Sequence, residues 1–332
     1  MIACTLCRRG AVAMVASMAL LIAAIGSIPA VGQDRFPERP IKLIVPFTAG
    51  GAYDVTARLI ADAMSKNLGG AIVVENRPGA GGNIGAQAVA AAPADGYTLL
   101  LGGLPMITSA LTSTDLGYDM MKDLTPVCGA MALDSVLVTS KATGIASIGA
   151  LKDRIASGAT VNYGTQGVYT PGHFMGAWFA HVAGGKAEAV NYKGGSEYMT
   201  DLLSGTLTYV AATLPVYLGL RDRLNVLATL SQEPLVQVPG APTMTQAGLP
   251  EYMAVDWRLW AAIYAPAKIQ AGIRDTLYAA CNAAIGTDKM KDAFSVYAMT
   301  PMIDYTPGRM GAFQDEQFRK WKVLVDKVRL AQ

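Results

Sequence analysis

The feature that most constrains this fold is an alternation of short β-type runs, glycine turns and helix-type stretches. The apolar run Ile41–Val45 ends at Pro46, and residues 47–51 then form a glycine-containing turn. Residues 54–68 follow with apolar side chains at helical spacing. The same order recurs and ends on a third strand, with segments at residues 71–75, 78–82, 84–92 and 97–101. Because parallel strands are joined by helical crossovers, this βαβαβ order predicts a parallel sheet covered by helices.

A second α/β unit is predicted after residue 130. Its strands are expected at residues 135–139, 161–163, 187–190, 207–211 and 226–229, and its helices at 148–157, 172–183 and 196–203. The last part is predicted to be mostly helical, at residues 273–284, 288–297 and 307–328. A length of 332 residues is sufficient for two domains, each with its own core.

The N-terminal segment 1–32 has the pattern of a secretory signal peptide. Arg8 and Arg9 precede an apolar run at 11–26, and small residues at 30 and 32 predict cleavage before Gln33. The alternative is a membrane anchor, but the run is shorter than the about 20 residues needed to cross a bilayer. The sequence therefore predicts an exported, periplasmic protein.

Composition excludes several classes of protein. A hydrophobic content of 52% argues against disorder, and 27 Lys+Arg against 25 Asp+Glu leave no basic excess for binding nucleic acid. With 2 His and 4 Cys in the chain, we expect no metal site and no cofactor. Cys128 and Cys281 follow the signal segment. Export makes a disulfide possible, but two separate buried thiols are the favoured interpretation.

The first strand–turn–helix is a candidate anion site. Gly50 and Gly51 would let the backbone approach a ligand, and Asp54 is predicted to cap the following helix, whose N–H groups would face an anion. The alternative is an ordinary tight turn. The second turn, residues 79–85, follows a strand and opens a helix, but Ile84 occupies the third glycine position of the dinucleotide motif. A nucleotide site is therefore not expected.

The second unit contributes a polar loop at residues 165–170 between a strand and a helix. Facing loops at the carboxyl ends of strands would hold one small anion from both sides. His173 is either a donor into this cleft or a capping or surface residue, and His181 is expected to be structural. The sequence lacks a G-x-S-x-G nucleophile motif. Arg258 either binds a carboxylate bidentately or pairs with an acidic side chain of the chain.

These stretches resemble the extracytoplasmic solute receptors of the tripartite tricarboxylate transporter system, the Bug family. The strongest likeness is the string from Val73 to Gly85, VVENRPGAGGNIG, together with residues 40–51 and Asp54. Shorter matches lie at residues 95–100, 162–164, 192–194, 201–203 and 265–266. The likeness extends over essentially the whole chain after the signal segment.

The resemblance implies an α/β, periplasmic-binding-protein-like fold with two lobes, a hinge and a ligand cleft between the lobes. Residues 33–128 and 245–332 would form lobe 1, and residues 129–244 lobe 2. It implies a non-enzymatic, monomeric receptor for a small carboxylate, which works with membrane subunits of a transporter or with a signalling sensor. The ligand-binding candidates carried over are Phe47, Thr48, Ala49, Gly50, Gly51, Asp54, Gly103, Leu104, Thr165, Thr170 and His173.

Departures from the family pattern suggest a hypothesis about the ligand. Ala212 stands where family members commonly carry a carboxylate, and Val168 and Tyr169 stand where small residues are common. Because Tyr169, Trp257 and Trp260 accompany this loss of acidity, we expect a larger, apolar or aromatic carboxylate such as terephthalate. The alternative is that these rings pack in the core or hinge. Two other classes are an exported enzyme acting on carboxylates, with His173 as its base, and a secreted structural protein.

Overall fold

A computed structural model describes residues 36–192 and 195–331, so the expected signal segment and its cleavage site lie outside the described residues. The strands are β1 Ile41–Val45, β2 Ile72–Asn76, β3 Thr98–Gly103, β4 Leu124–Leu133, β5 Ser135–Ser140, β6 Asn162–Thr165, β7 Glu188–Asn191, β8 Val210–Thr213, β9 Leu224–Thr229, β10 Leu259–Pro266 and β11 Met299–Pro301. The helices are α1 Ala52–Leu68, α2 Asn83–Ala90, α3 Leu104–Thr112, α4 Met120–Asp123, α5 Ile148–Ala156, α6 Pro171–Val182, α7 Gly195–Ser204, α8 Leu214–Leu220, α9 Ala271–Ile285, α10 Asp288–Val296 and α11 Pro307–Ala331.

A six-stranded sheet has the order β11-β4-β10-β3-β1-β2. Strands β1, β2 and β3 are parallel, as the βαβαβ pattern predicts. Strand β10 is antiparallel to both β3 and β4, and β11 is antiparallel to β4, so the sheet is mixed. The predicted parallel order is confirmed for β1, β2 and β3, whereas β4, β10 and β11, which make the sheet mixed, were not predicted as strands. We call this sheet and its helices the first lobe.

The second lobe comprises residues 135–229. Strands β5, β8 and β9 form an antiparallel sheet, and β6 and β7 form a parallel pair. A bridge between Tyr163 and Tyr209 brings the two together. The chain enters this lobe directly from β4 through Asp134 and returns to the first lobe ahead of β10. The described chain thus has the predicted two-lobed α/β architecture.

A disulfide joins Cys128 in β4 to Cys281 in α9, with Cα atoms 6.6 Å apart and a sequence separation of 153. The expectation of two separate thiols is therefore wrong. Strand β4 was not predicted, so its position against α9 was not foreseen. Both cysteines are buried in the first lobe.

The C-terminal helix α11 packs against elements of both lobes. Trp321 meets Trp257 edge-on at a ring-centre distance of 5.2 Å, and it meets Phe174 of the second lobe at 5.9 Å. Trp260 packs against Phe313 of the same helix. Trp257 and Trp260 are fully buried, which confirms the core-packing alternative for these two rings.

Within residues 36–192 and 195–331, no helix combines the length and the apolar character needed to span a membrane.

Candidate ligand-binding cleft

A cavity of about 460 Å³ lies between the two lobes. From the first lobe it is lined by the turn before α2 and by α2 itself, by one face of α3, and by the segment that follows α3. From the second lobe it is lined by the loop between β6 and α6. The lining residues are Ala80, Gly81, Asn83, Ile84, Gln87, Pro105, Thr108, Ser109, Thr112, Ser113, Asp115, Leu116, Gln166, Gly167, Val168, Tyr169 and Thr170.

Three helices begin at this cavity. Helix α2 starts after Gly82, α3 starts after Gly103 with Pro105 at its second position, and α6 starts after Thr170. The helix dipole places a partial positive charge at each terminus, although some of the first N–H groups are used within the protein: that of Asn83 donates to the Ala80 carbonyl and that of His173 to the Thr170 hydroxyl. Each such terminus favours an anion by ~0.3–1 kcal/mol. Termini from both lobes therefore make the cavity attractive to a small anion.

The second-lobe wall is held by hydroxyl groups. The Thr165 and Thr170 hydroxyl oxygens lie 3.0 Å apart, and each is within hydrogen-bonding distance of the Gly167 carbonyl oxygen, at 3.2 and 2.8 Å. Thr170 also accepts the backbone N–H of His173 and so caps α6. Thr165 is buried, whereas Thr170 lines the cavity. The structure thus places Thr170 at the cavity and Thr165 behind it, where it supports the loop.

Two residues on opposite walls adopt left-handed backbone conformations. Tyr169 has φ of 64° and Ala80 has φ of 48°. Such angles are costly for residues other than glycine, and they concentrate at ligand-binding and switch positions. The Tyr169 ring is stacked on Phe174 at 6.1 Å and meets His173 edge-on at 5.9 Å. These contacts fix the ring at the cavity wall.

His173 lies beneath that wall. It is buried, and its Nδ1 is 3.4 Å from the Tyr163 hydroxyl oxygen. Burial lowers the pKa of the imidazole, which favours its neutral form. The alternative of a surface histidine is wrong, because the side chain packs between Tyr163 and Tyr169. His173 thus supports the Tyr169 loop.

The first turn differs from the prediction at Asp54. The N-cap of α1 is Gly51, and Asp54 occupies the third helical position. Its carboxylate accepts the Gly50 N–H at 2.9 Å, a two-pronged contact from Arg58 at 2.9 and 3.0 Å, and the Asn76 amide at 2.9 Å. The N-cap prediction is therefore wrong, because the carboxylate reaches back to the residue before the cap.

The charge of Asp54 is well compensated. Burial opposes ionisation of the carboxyl group, but hydrogen bonds from Arg58, from the Gly50 N–H and from Asn76 outweigh that effect and lower the pKa of Asp54. The same contacts use the Gly50 N–H inside the protein. In this conformation it does not face a ligand.

The remaining first-turn candidates are not among the residues that line the cavity. Thr48, Ala49, Gly50 and Gly51 are exposed, and none of them is among the lining residues given above. The Phe47 ring lies directly against Gly82, which stands between the lining residues Gly81 and Asn83. A ligand contact for this turn remains a prediction.

Gly103 and Leu104 lie where β3 passes into α3. A Cβ atom at Gly103 would overlap the carbonyl oxygen of Trp260, which also accepts the Tyr53 hydroxyl at 2.8 Å. Only glycine fits this close approach between β3 and β10. Leu104 is fully buried. The structure gives these two residues a role in positioning the start of α3, and direct ligand contact remains a prediction.

Ala212 and Arg258 are not at the cavity. Ala212 is fully buried in β8 opposite Val136, inside the core of the second lobe. The hypothesis that its methyl group shapes a pocket wall finds no support in this position. The Arg258 guanidinium is bound by Asp256, with Nη2 donating to Oδ2 at 2.6 Å, which is the intramolecular alternative for this residue.

One face of α3 carries hydroxyl side chains that were not predicted to be part of the site. Thr108, Ser109 and Thr112 lie on this face at helical spacing and line the cavity with Asn83 and Gln87. The signal was present, since Ser and Thr recur three and four residues apart in an otherwise apolar segment. It was not used because residues 104–112 were not assigned to a helix.

Two α/β lobes with an anion-favouring cavity between them define a solute receptor of the periplasmic-binding-protein class. The chain belongs to the tripartite tricarboxylate transporter receptor family, whose model, described as "Tripartite tricarboxylate transporter family receptor", matches residues 56–330.

Named relatives agree with this membership. Protein BugT of Bordetella pertussis is 32% identical over 317 residues, which covers 94% of this chain and 96% of that protein. A Cupriavidus necator protein described by its position in the gbd 5' region is 30% identical over 325 residues, which covers 95% and 96% of the two chains.

Solved structures show the same fold. Rpa4515 of R. palustris, solved with adipate, is 29% identical with a TM-score of 0.80, and the match covers 88% of this chain and 98% of that one. The periplasmic binding protein BugD has a TM-score of 0.79 over the same shares at 24% identity, and this likeness concerns the fold alone.

Proposed function

We propose that this protein is a periplasmic solute receptor that captures a small carboxylate between its lobes and delivers it to the membrane subunits of a tripartite transporter. Family membership supports the receptor role, and the adipate bound by a 29% identical relative supports the carboxylate class. The receptors of this family are not enzymes, and they act in the periplasm.

The observation that carries the proposal is the convergence of three helix N-termini on one interlobe cavity. Helices α2 and α3 come from the first lobe and α6 from the second. A carboxylate held by all three would contact both lobes at once. It would bind the closed form more tightly than the open form, and that difference in affinity is what shifts the population towards closure.

The apolar part of the cavity indicates the kind of carboxylate. Ile84 on the first lobe and Val168 on the second lobe both line the cavity, although they are 52% and 54% exposed. Covering such side chains stabilises a complex by roughly 25 cal/mol per Å². With the Tyr169 ring in the same wall, the ligand that fits is a dicarboxylate with an apolar middle, for example the aromatic acid terephthalate. Trp257 and Trp260 are buried in the core and are not among the lining residues, so they do not bear on the choice of ligand.

An exported enzyme is the alternative function, and it would need His173 as its base. The imidazole lies behind Tyr169 with Nδ1 against the Tyr163 hydroxyl, a position that does not favour proton transfer to a ligand. Replacing His173 with glutamine and assaying carboxylate turnover tests this alternative directly. Turnover by the parent that the variant lacks would favour the enzyme.

The proposal is tested by thermal shift and calorimetry on the chain from Gln33 onward. The ligands are terephthalate, adipate, citrate, benzoate and hexanoate. A ligand at 100 times its Kd should add about 2.7 kcal/mol to the unfolding free energy. We expect terephthalate or adipate to give the largest shift. Stabilisation by citrate alone would overturn the apolar-middle assignment, and the absence of any shift would overturn carboxylate capture.

A further inference from the structure

A cation lies against two of the residues that line the cavity, although it is not itself among the lining residues. Arg329 lies in the last turn of α11, and its Nη2 donates to the carbonyl oxygen of Thr112 at 3.1 Å. Its guanidinium carbon also lies 5.5 Å from the centre of the Tyr169 ring. Thr112 belongs to the first lobe and Tyr169 to the second, and both line the cavity. Arg329 therefore contacts both walls at once.

The charges of the lining make this cation significant. Among the described residues that line the cavity, the one with an acidic or basic side chain is Asp115, whose carboxylate repels anions. Helix termini carry only partial charges, of about half an elementary charge each. A full positive charge beside the cavity would add to what these termini supply, and a second carboxylate would gain most from it.

Arg329 has the donors for that task. Among the ion pairs of residues 36–192 and 195–331, none involves Arg329, whereas Arg258 pairs with Asp256 through its Nε and Nη2 atoms. Its contacts to Thr112 and Tyr169 leave most of its five N–H groups for other acceptors. The side chain is exposed, and a guanidinium binds a carboxylate through two parallel hydrogen bonds.

The direction of α3 separates the two anion-favouring ends. Pro105 lies at the start of α3 and Thr112 at its end, and the axial rise between them is about 10 Å. The N-terminal end attracts one acid. The opposite end, where carbonyl groups would repel a second acid, is covered by Arg329.

We propose that Arg329 binds the second carboxylate of the ligand and makes this receptor selective for dicarboxylates over monocarboxylates. This inference rests on the proposed function, because it assigns the distal half of the same cleft. The first acid then lies near the starts of α2, α3 and α6, and the apolar middle lies between Ile84 and Val168.

The experiment measures selectivity within matched pairs of acids. Calorimetric Kd values are determined for terephthalate against benzoate and for adipate against hexanoate, with the parent protein and with Arg329→Met, which keeps the apolar stem. Hydrogen bonds to a charged group imply that the variant weakens dicarboxylate binding by about 10- to 100-fold. Monocarboxylate binding should change less than about twofold, because the first acid keeps its own site.

Two further variants complete the design. Arg319→Met removes the same charge from another exposed position of α11, where the guanidinium donates to the Asp315 carbonyl, and it should leave all Kd values unchanged. Arg329→Lys should recover only part of the dicarboxylate affinity, because lysine lacks the two-pronged geometry. The ratio of the two Kd values is read within each protein, so a change in overall stability cancels.

Each result has one meaning. A loss confined to dicarboxylates supports the assignment. An equal loss for both acids of a pair, or no loss for either, overturns it while leaving carboxylate capture intact. If the parent protein binds none of the four acids, the proposed function itself fails, and that failure is visible before any variant is made.

Discussion

At the scale of single residues, Asp54 shows how a charged side chain stabilises the geometry of a turn through contacts within the protein. Its carboxylate is 5% exposed and collects donors from Gly50, Arg58 and Asn76. Acidic side chains near a ligand that is itself an anion would oppose binding. Here the negative charge is compensated, so the turn keeps its shape at little electrostatic cost to the neighbouring cavity.

Replacing Asp54 with alanine should lower the free energy of unfolding by about 1–3 kcal/mol, because the Gly50 N–H and the Asn76 amide lose their acceptor. Urea unfolding measures this change. The control is Asp62→Ala on the same helix, whose exposed carboxylate pairs only with Lys66 in the contacts described for it. It should change stability by less than about 1 kcal/mol. Equal losses in the two variants would contradict the special role of Asp54.

The same residue predicts a pH dependence. Because the pKa of Asp54 is lower in the folded state than in the unfolded state, its ionised form stabilises the fold. That contribution is fully present above the ordinary aspartate pKa of about 3.9, and it is lost as the pH falls through the depressed value. Unfolding curves below about pH 4 should therefore be less steep in pH for Asp54→Asn than for the parent protein. Parallel curves would contradict this expectation.

At the scale of secondary-structure elements, the first lobe shows what the sequence could predict. Strand β1 was predicted at its observed bounds, and α1 begins at Ala52, two positions before the predicted start. Strands β4 and β10 were missed. Pro126 and Gly129 weaken the strand pattern of β4, and alanines weaken that of β10, so pairing with neighbouring strands decides their structure.

The site, like the strands, was predicted where local sequence patterns determine it and missed where tertiary packing does. The glycine turns and the loop at residues 165–170 were predicted from local spacing, and Tyr169 and Thr170 do line the cavity. Helix α3 was missed because residues 104–112 were not assigned to a helix, and Arg329, for which we propose a ligand contact, lies one residue past the predicted end of its helix. Their proximity depends on tertiary packing across the lobes, which spacing along one chain does not contain.

The disulfide between β4 and α9 carries a prediction at this scale. Converting Cys128 and Cys281 together to alanine should lower the unfolding free energy by about 2–5 kcal/mol, since the bond closes a long loop in the unfolded chain. Urea unfolding with and without a thiol reductant measures the effect. The parent protein should lose stability in reductant, and the double variant should not respond. A reductant response in both proteins would contradict this origin.

At the scale of the whole molecule, function depends on what the two lobes bring together. The six-stranded sheet takes strands from residues before 134 and after 258, whereas the sheets of the second lobe lie within residues 135–229. The predicted lobe boundaries at 128/129 and 244/245 remain proposals. The lobes meet at a cavity whose two walls each present one exposed aliphatic side chain.

Those side chains give a prediction for binding. Changing Ile84 or Val168 to serine should each weaken dicarboxylate affinity by about three- to tenfold, because each CH2 group buried on closure contributes ~0.8 kcal/mol. Val296→Ser is the matched control, since Val296 is 79% exposed in α10. Calorimetry of all three variants checks the expectation. Unchanged affinity in the Ile84 and Val168 variants would place the ligand elsewhere.

The packing of Trp321 between the lobes has an optical consequence. Its indole touches Trp257, which lies just before β10, and Phe174 of the second lobe, so a rotation of that lobe alters the surroundings of a fluorescent ring. The chain has 4 tryptophans, and Trp321→Phe removes the one in contact with Phe174. Ligand addition should change the emission of the parent protein and change that of the variant much less. The protein therefore carries an intrinsic fluorophore with which lobe closure can be followed in stopped-flow mixing, without attached dyes.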